Sequence, residues 1–425
     1  MIVSLLIVAF IAVELVLLFA SLKKGQVLHK ERFFTRLSEL FSLLLLSLTP
    51  LVTFSSGWYG LYIFCIGAIL LNCFGLVRKK QVGFTKSKMI RRAIASIVLL
   101  LVVSFPLFLF PSNKPLPTTG TRKVLTQSYT FTDTSREEYF TEEEDDNRQV
   151  SVQFWYPEQT NKSYPLVIFS HGAFGYRMSN FSTYEELAGN GYVVCSIDHT
   201  YHSFFTKQAD GTHVVGDFAF INEAVQVTNN QIEKEQLYEL EKKWMDIRTK
   251  DFMFVLDQIK KNAMQASWFT EIDLDHIGAM GHSMGGATAA WAGRNTDSID
   301  AVVVLDGTMM GERTGLNTLN KDTYPIPILN FFAEDHYEQA ISQDTPYANL
   351  VIHENNPLSY QVVIRSSGHL NFTDLPHHSP ILASLLGTGK IDAEYCITTY
   401  NAMILEFFDH FLKGANSIIP RERLV

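Results

Sequence analysis

Cysteine is scarce in this chain, with four residues in 425, at positions 65, 73, 195 and 396. Cys65 and Cys73 fall inside one apolar stretch, and Cys195 and Cys396 stand in apolar surroundings, so neither a disulfide framework nor a cysteine-based metal site is expected. An excess of positive charge is missing as well. The chain has 35 Lys and Arg against 44 Asp and Glu, and binding to phosphate backbones needs a basic face, so nucleic acid is excluded from the expected partners. A calcium loop is also absent. The run Glu142-Glu143-Glu144-Asp145-Asp146 lacks the spaced ligands and the glycine of such a loop and reads as a solvated hairpin tip.

The average composition hides two unlike parts. Residues 1–112 hold 12 Lys and Arg against Glu14, Glu31 and Glu39, whereas the remaining residues hold 23 against 41 acids. Four apolar stretches occupy the first part: Ile2–Phe19, Leu40–Phe54, Trp58–Val77 and Ala93–Phe110. Each approaches the roughly 20 residues a membrane-spanning helix needs, so a bundle of about four transmembrane helices is expected, near residues 2–19, 38–55, 58–77 and 93–110. No positive charge precedes the first stretch and Lys23-Lys24 follow it, the reverse of a signal peptide, so a retained helix is expected. Lys23, Lys24, Lys30, Arg32 and Arg36 fill the first connection, and Arg78, Lys79, Lys80, Lys86, Lys88, Arg91 and Arg92 the third, while Ser55-Ser56-Gly57 is uncharged. Basic loops stay cytoplasmic. The expectation is a multi-pass protein of the cell membrane whose soluble domain lies outside the cytoplasm; Glu14, a carboxylate inside the first span, reads as a functional suspect or, more plainly, as facing a neighbouring helix or lipid headgroups.

A proline-rich segment, residues 111–123, reads as an extended linker to a domain at 124–425. Two alternating segments, Val124–Phe131 and Val150–Tyr156, flank the acidic run. Apolar strands then alternate with helices: strands at Leu166–Phe169, Tyr192–Ile197, Ile277–Met280, Ala301–Leu305, Ile326–Phe332 and Gln361–Ile364, helices at Thr183–Gly189, Trp244–Lys261 and Glu394–Phe411. Such alternation predicts an α/β domain with a mostly parallel sheet covered on both faces and its site beyond the carboxyl ends of the strands. Residues 199–243 form an insert far longer than an ordinary connection. Its aromatics, Tyr201, Phe204, Phe205, Phe218 and Phe220, suit a cap over the site, set near the bilayer by the short linker.

The chemistry gathers around Gly281-His282-Ser283-Met284-Gly285. The spacing G-x-S-x-G between a strand and a helix exposes a serine on a strained turn, because glycine has no Cβ where strand and helix come closest. Ser283 is the candidate nucleophile. The α/β-hydrolase order Ser, Asp or Glu, His places the base late in the chain. Of His336, His353, His369, His377, His378 and His410, only His369 follows a strand through a turn, Ser366-Ser367-Gly368; the others lie in loops or in the last helix. Asp306 and Asp335 each end a strand and are rivals to orient that imidazole. The backbone amides of Met284 and Ala173 are the expected oxyanion donors, with His171 helping to form the turn that aims the second. Asp198, His199 and His202 share one loop and read as ordinary loop polarity, so no metal and no cofactor is expected.

The segments VIFSHGAFGYR, GHSMGGATA, VVVLDGTMM and SSGHLNFTD, with the closing GKIDAEYCITTYNAMILEFFDHFLKG, resemble the platelet-activating factor acetylhydrolase family of the plasma and type II kind over roughly residues 120–415. The resemblance implies an α/β-hydrolase fold, Asp306 as the acid, and calcium-independent cleavage of short or oxidised acyl groups from phospholipids. The expected protein is therefore a membrane-tethered serine hydrolase acting on a small-molecule or lipid ester through an acyl-enzyme. An acyltransferase would use the same triad. A catalytically silent membrane receptor is the rival from another class, and retention of the serine, the histidine and both acids argues against it.

Overall fold

A computed structural model describes residues 2–49, 51–52, 55–77, 84–111, 114–143, 146–158, 162–343, 345–416 and 420–425. The chain forms two compact units, Met1–Lys114 with His377–Leu382, and Pro115–Pro376 with Ala383–Val425.

The first unit contains helices α1 (Ile2–Lys24), α2 (His29–Ser47), α3 (Tyr59–Val77) and α4 (Lys86–Leu109). Helices α1, α3 and α4 are long and apolar enough to cross a membrane. Helix α2 departs from the expected span at 38–55, because it begins nine residues earlier and ends at Ser47. Arg32, Arg36 and Glu39 recur at helical spacing and therefore share one face. That face is turned inward: Arg32 Nη1 donates to Glu14 Oε1 at 2.7 Å, while Arg36 donates to the other Glu14 oxygen and, at 2.6 Å, to Glu39. Arg32 and Arg36 are thus buried helix residues rather than loop residues, and Glu14 faces α2. Phe34, Phe41 and Leu45 cover the outer side of α2 and are exposed. A helix polar inside and apolar outside escapes a search for continuous apolar runs. Arg78, Lys79 and Lys80 of the expected third loop, and residues 50, 53 and 54 of the expected second span, lie outside the described residues.

The second unit is built on a nine-stranded sheet: β1 (Val124–Glu137), β2 (Asn147–Pro157), β3 (Tyr164–Ser170), β4 (Val193–Asp198), β5 (Ile272–His282), β6 (Ala301–Leu305), β7 (Ile328–Ala333), β8 (Ser359–Ile364) and β9 (Glu422–Leu424). Their order across the sheet is β1-β2-β4-β3-β5-β6-β7-β8-β9. The β1–β2 hairpin is antiparallel and joins β4 antiparallel; every later pairing is parallel. Glu142, Glu143 and Asp146 lie between β1 and β2, and Glu144 and Asp145 lie outside the described residues.

Strands β3, β4, β6 and β7 are buried along their whole length, as expected of strands covered on both faces. Helices α7 (Lys234–Lys260) and α8 (Met284–Asn295) supply Phe252, Val255, Ala289 and Ala290 to the core on one face. Helices α5 (Phe181–Gly189) and α11 (Ala393–Lys413) supply Leu187, Tyr400, Ile404 and Phe408 to the core on the other. Further helices are α6 (Phe218–Thr228), α9 (Glu334–Ser342) and α10 (Ala348–Asn355).

The expected linker, 111–123, is docked over its second half. Leu116 is buried, the Thr119 amide donates to Glu186 at 2.8 Å, and Gly120 lies so close to α5 that a Cβ there would meet the Gly189 carbonyl carbon at 2.1 Å. The insert at 199–243 consists of a short hairpin, Phe205–Lys207 with His213–Val215, then α6 and the first turns of α7. Cα pairs His282–Leu305, Leu305–Phe331 and Ala333–Ile364 bring the carboxyl ends of β5 to β8 level with one another. Residues that directly follow those four strands therefore meet at one edge.

Candidate active site

Ser283 sits between the last residue of β5 and the first of α8, with φ 55° and ψ −126°. A side-chain-bearing residue rarely holds such a backbone, and here it is fixed by close packing on both sides. At Gly285 a Cβ would lie 1.9 Å from the Ser170 carbonyl oxygen, so helix α8 can meet β3 only through glycine. The Ser283 amide donates to the Leu305 carbonyl at 2.9 Å and ties the turn to the end of β6.

Asp306 follows at once, also at positive φ, 48°. Its Oδ1 accepts the Ala333 amide at 2.7 Å, which aims Oδ2 at His369, whose Nδ1–H donates at 2.7 Å. Burial alone would raise this carboxyl, but the His336 and His369 imidazoles beside it and their charge outweigh it and hold it well below its usual range. His369 opens a single turn, His369–Phe372, beyond β8. Its carbonyl accepts from His282 Nε2 at 3.1 Å, and the two rings lie 4.5 Å apart. Burial pushes the His282 imidazole down to about 3, so it stays neutral beside His369.

Asp335, the other acid considered, is the second residue of α9, is exposed, and accepts the His336 amide at 2.9 Å. The structure pairs His369 with Asp306 and leaves Asp335 facing solvent. Met284 is the first residue of α8, where a backbone N–H has no acceptor within its own helix. Met284 forms one cluster with Phe220, Ala224 and Trp244, and Ala173 packs against that cluster, so α6 and α7 wall the expected oxyanion site.

A family model for platelet-activating factor acetylhydrolase, isoform II, matches residues 119–417. The chain belongs to that family. Similar proteins include a probable 1-alkyl-2-acetylglycerophosphocholine esterase of Arthroderma benhamiae, 26% identical over 223 residues, which are 51% of this chain and 50% of that protein. The platelet-activating factor acetylhydrolase of Cavia porcellus is 23% identical over 269 residues, 60% of this chain and 59% of that protein. The chain thus spans half to three-fifths of the length of the curated relatives it matches. A ferulic acid esterase from Streptomyces cinnamoneus has the same fold, with a TM-score of 0.53 at 20% identity, covering 72% of this chain and 95% of that one. The α/β-hydrolase fold expected from the motifs is the fold observed. The four helices of the first unit precede the region that matches the family.

Several residues that sequence reasoning passed over support this family member's site. Arg248 of α7 is wholly buried and donates to the carbonyl of His171, to that of Gly172 at 3.3 Å and to that of His202 at 3.1 Å. It thereby grips the turn that presents Ala173. Asp251, one helical turn on, is held by Arg148 at 2.7 Å and by Arg136 at 3.0 Å, and accepts from His199 at 3.1 Å. The other nitrogen of His199 meets the Ser170 hydroxyl at 2.8 Å. The loop set Asp198, His199 and His202 is accordingly dispersed: Asp198 accepts the Arg177 amide at 2.6 Å, and the His202 ring stacks on Phe220 at 3.9 Å. His171, expected to help form the turn at Ala173, bonds the Gly172 carbonyl and the Ser203 hydroxyl and is fully buried. His336 lies on α9 rather than in a loop, and its Nδ1 stands 2.7 Å from the same Asp306 oxygen. Its position just past β7 is the one signal in the sequence that placed it at this edge.

Proposed function

We propose that the protein is a membrane-anchored serine esterase that removes short or oxidised acyl groups from phospholipid-like esters. The observation that carries this reading is the His369–Asp306 hydrogen bond beside the strained Ser283 turn, at the level edge of four parallel strands. Ser283 Oγ attacks the ester carbonyl and His369 Nε2 takes its proton, while Asp306 holds the imidazole by Nδ1 and stabilises its charged form. The amides of Ala173 and Met284 receive the oxyanion. The alcohol leaves with the proton from His369, and water then cleaves the acyl-enzyme by the same route.

The names of the family and its relatives support acetyl-bearing phospholipids as the substrate class. The insert supports an apolar acyl site, since Phe220 and Trp244 pack on Met284 while Phe204 and Phe218 remain 62% and 83% exposed. Three long apolar helices, with the apolar outer face of α2, support a four-helix membrane anchor. An even number of crossings with basic residues at the α1–α2 and α3–α4 turns favours a hydrolase domain outside the cytoplasm.

The purified chain should release acetate from an sn-2 acetyl phospholipid far faster than a long fatty acid from its long-chain counterpart, and Ser283→Ala should abolish both. Equal rates on both chain lengths would refute the short-acyl assignment. Protease added to intact cells should digest the hydrolase domain, and protection in that assay would overturn the orientation.

A further inference from the structure

His336 is not needed by the triad, yet it brings a second imidazole nitrogen to the carboxylate that orients His369. Asp306 Oδ2 accepts from His369 Nδ1 at 2.7 Å and has His336 Nδ1 at the same distance, and the ligand atoms of Asp306, His336 and His369 all lie within 4.8 Å of one another. The His336 and His369 side chains are 37% and 32% exposed, so the cluster is open to solvent on the imidazole side, while the carboxylate is 1% exposed. The Ala333 amide fixes the other carboxylate oxygen and thus its orientation, the outer support that a metal-binding carboxylate ordinarily has.

We propose that Asp306 Oδ2 and the Nδ1 atoms of His336 and His369 form a site for a divalent transition-metal ion of the zinc class, and that occupation of this site stops turnover. Two imidazoles and a carboxylate select zinc, copper or nickel over calcium and magnesium, which prefer all-oxygen shells. Zinc bonds of ~2.0–2.1 Å in a tetrahedral arrangement hold their donor atoms roughly 3.3 Å apart, so each imidazole nitrogen need draw back from Asp306 Oδ2 by less than an ångström, with water as the fourth ligand. The ion would take the place of the His369–Asp306 hydrogen bond and of the close His336–Asp306 contact, with a coordinate bond to each of the three donors. Each neutral imidazole then carries its single proton on Nε2 instead of Nδ1. His369 would present an N–H where a base must present a lone pair, and no proton could be taken from Ser283. This last consequence rests on the proposed role of His369; the binding site itself does not.

The experiment uses the full chain in detergent micelles with two readouts. Co²⁺ added alone should give the visible absorption of a low-coordinate cobalt site in the wild type and in Ser283→Ala, and that absorption should be lost in His336→Gln. His336→Cys, which restores a ligand, should regain binding and add a thiolate-to-cobalt charge-transfer band. In parallel, Zn²⁺ should inhibit aryl-ester hydrolysis reversibly, a chelator should restore it, and half-inhibition should move at least tenfold higher in His336→Gln. Absence of cobalt absorption in the wild type, or equal zinc sensitivity in wild type and His336→Gln, would overturn the site. Cobalt absorption without any esterase activity would uphold the site and defeat the functional reading instead.

Discussion

The guanidinium of Arg248, on helix α7, donates to the carbonyl of His171 in the turn that carries Ala173. The turn therefore owes its shape to a buried cation on α7 as well as to its own glycine. Arg248→Met should lower kcat by about 10²–10³, the usual cost of one lost oxyanion donor, with KM changed much less. Arg248→Lys should recover part of it. Steady-state kinetics on protein with a native circular dichroism spectrum checks this, and an unchanged kcat would detach Arg248 from the oxyanion site.

Burial, reinforced by the Arg248 charge, holds the imidazoles of His171 and His202 well below the ordinary value and brings His199 to about 4. Below about pH 6.5 the unfolded chain binds protons at these three sites and the folded chain does not, so stability falls as pH drops, for His199 until about pH 4. His202 is the most informative position, because its ring stacks on Phe220 and neither ring nitrogen has a partner among the described residues. His202→Phe should raise Tm and flatten its fall between pH 7 and pH 5. A steeper fall in the variant would contradict the neutral assignment.

Glu14 neutralises two arginines inside the helical unit. Glu14→Gln leaves buried charge without its partner, a loss of about 3–5 kcal/mol in comparable buried pairs. Thermal unfolding in detergent should show a marked drop in Tm for this variant, and Glu14→Leu combined with Arg36→Leu should unfold at a higher temperature than Glu14→Leu alone. If Glu14→Gln unfolds like the wild type, the cluster is not a structural element of the bundle.

The exposed rings of Phe204, Phe205 and Phe218 belong to the insert whose helix α6 reaches Met284 through Phe220. Replacing all three by Ala should shift the preferred acyl length while leaving covalent labelling of Ser283 at the wild-type rate. An unchanged length profile would make the insert a decoration.

Much of the second unit was legible because its signals are local. The strand Ala301–Leu305 appears in the structure with the ends read from the sequence, since five apolar residues between polar neighbours define a buried strand without help from elsewhere. The serine turn was legible because the two glycines that close packing against β3 requires stand two residues to either side of the serine. Three features were hidden, and each depends on partners far apart in the chain. Helix α2 draws its stability from Glu14, eighteen residues before Arg32; Arg248 acts on a turn 77 residues earlier; His336 meets Asp306 only because β6 and β7 are neighbours in the sheet. Choosing between Asp306 and Asp335 was likewise a matter of where each side chain points, which the letters do not encode.

The central claim, that Ser283 is an ester-cleaving nucleophile served by His369 and Asp306, is tested most directly by trapping the acyl-enzyme. Mass spectrometry after rapid quenching with an acetylated aryl ester should find one acetyl group on the peptide carrying Ser283. His369→Ala and Ser283→Ala should show none and lose on the order of 10⁴ or more in turnover, Asp306→Asn about 10³–10⁴, and Asp335→Asn almost nothing. An acetyl group on another residue, or full turnover in Ser283→Ala, would contradict the account.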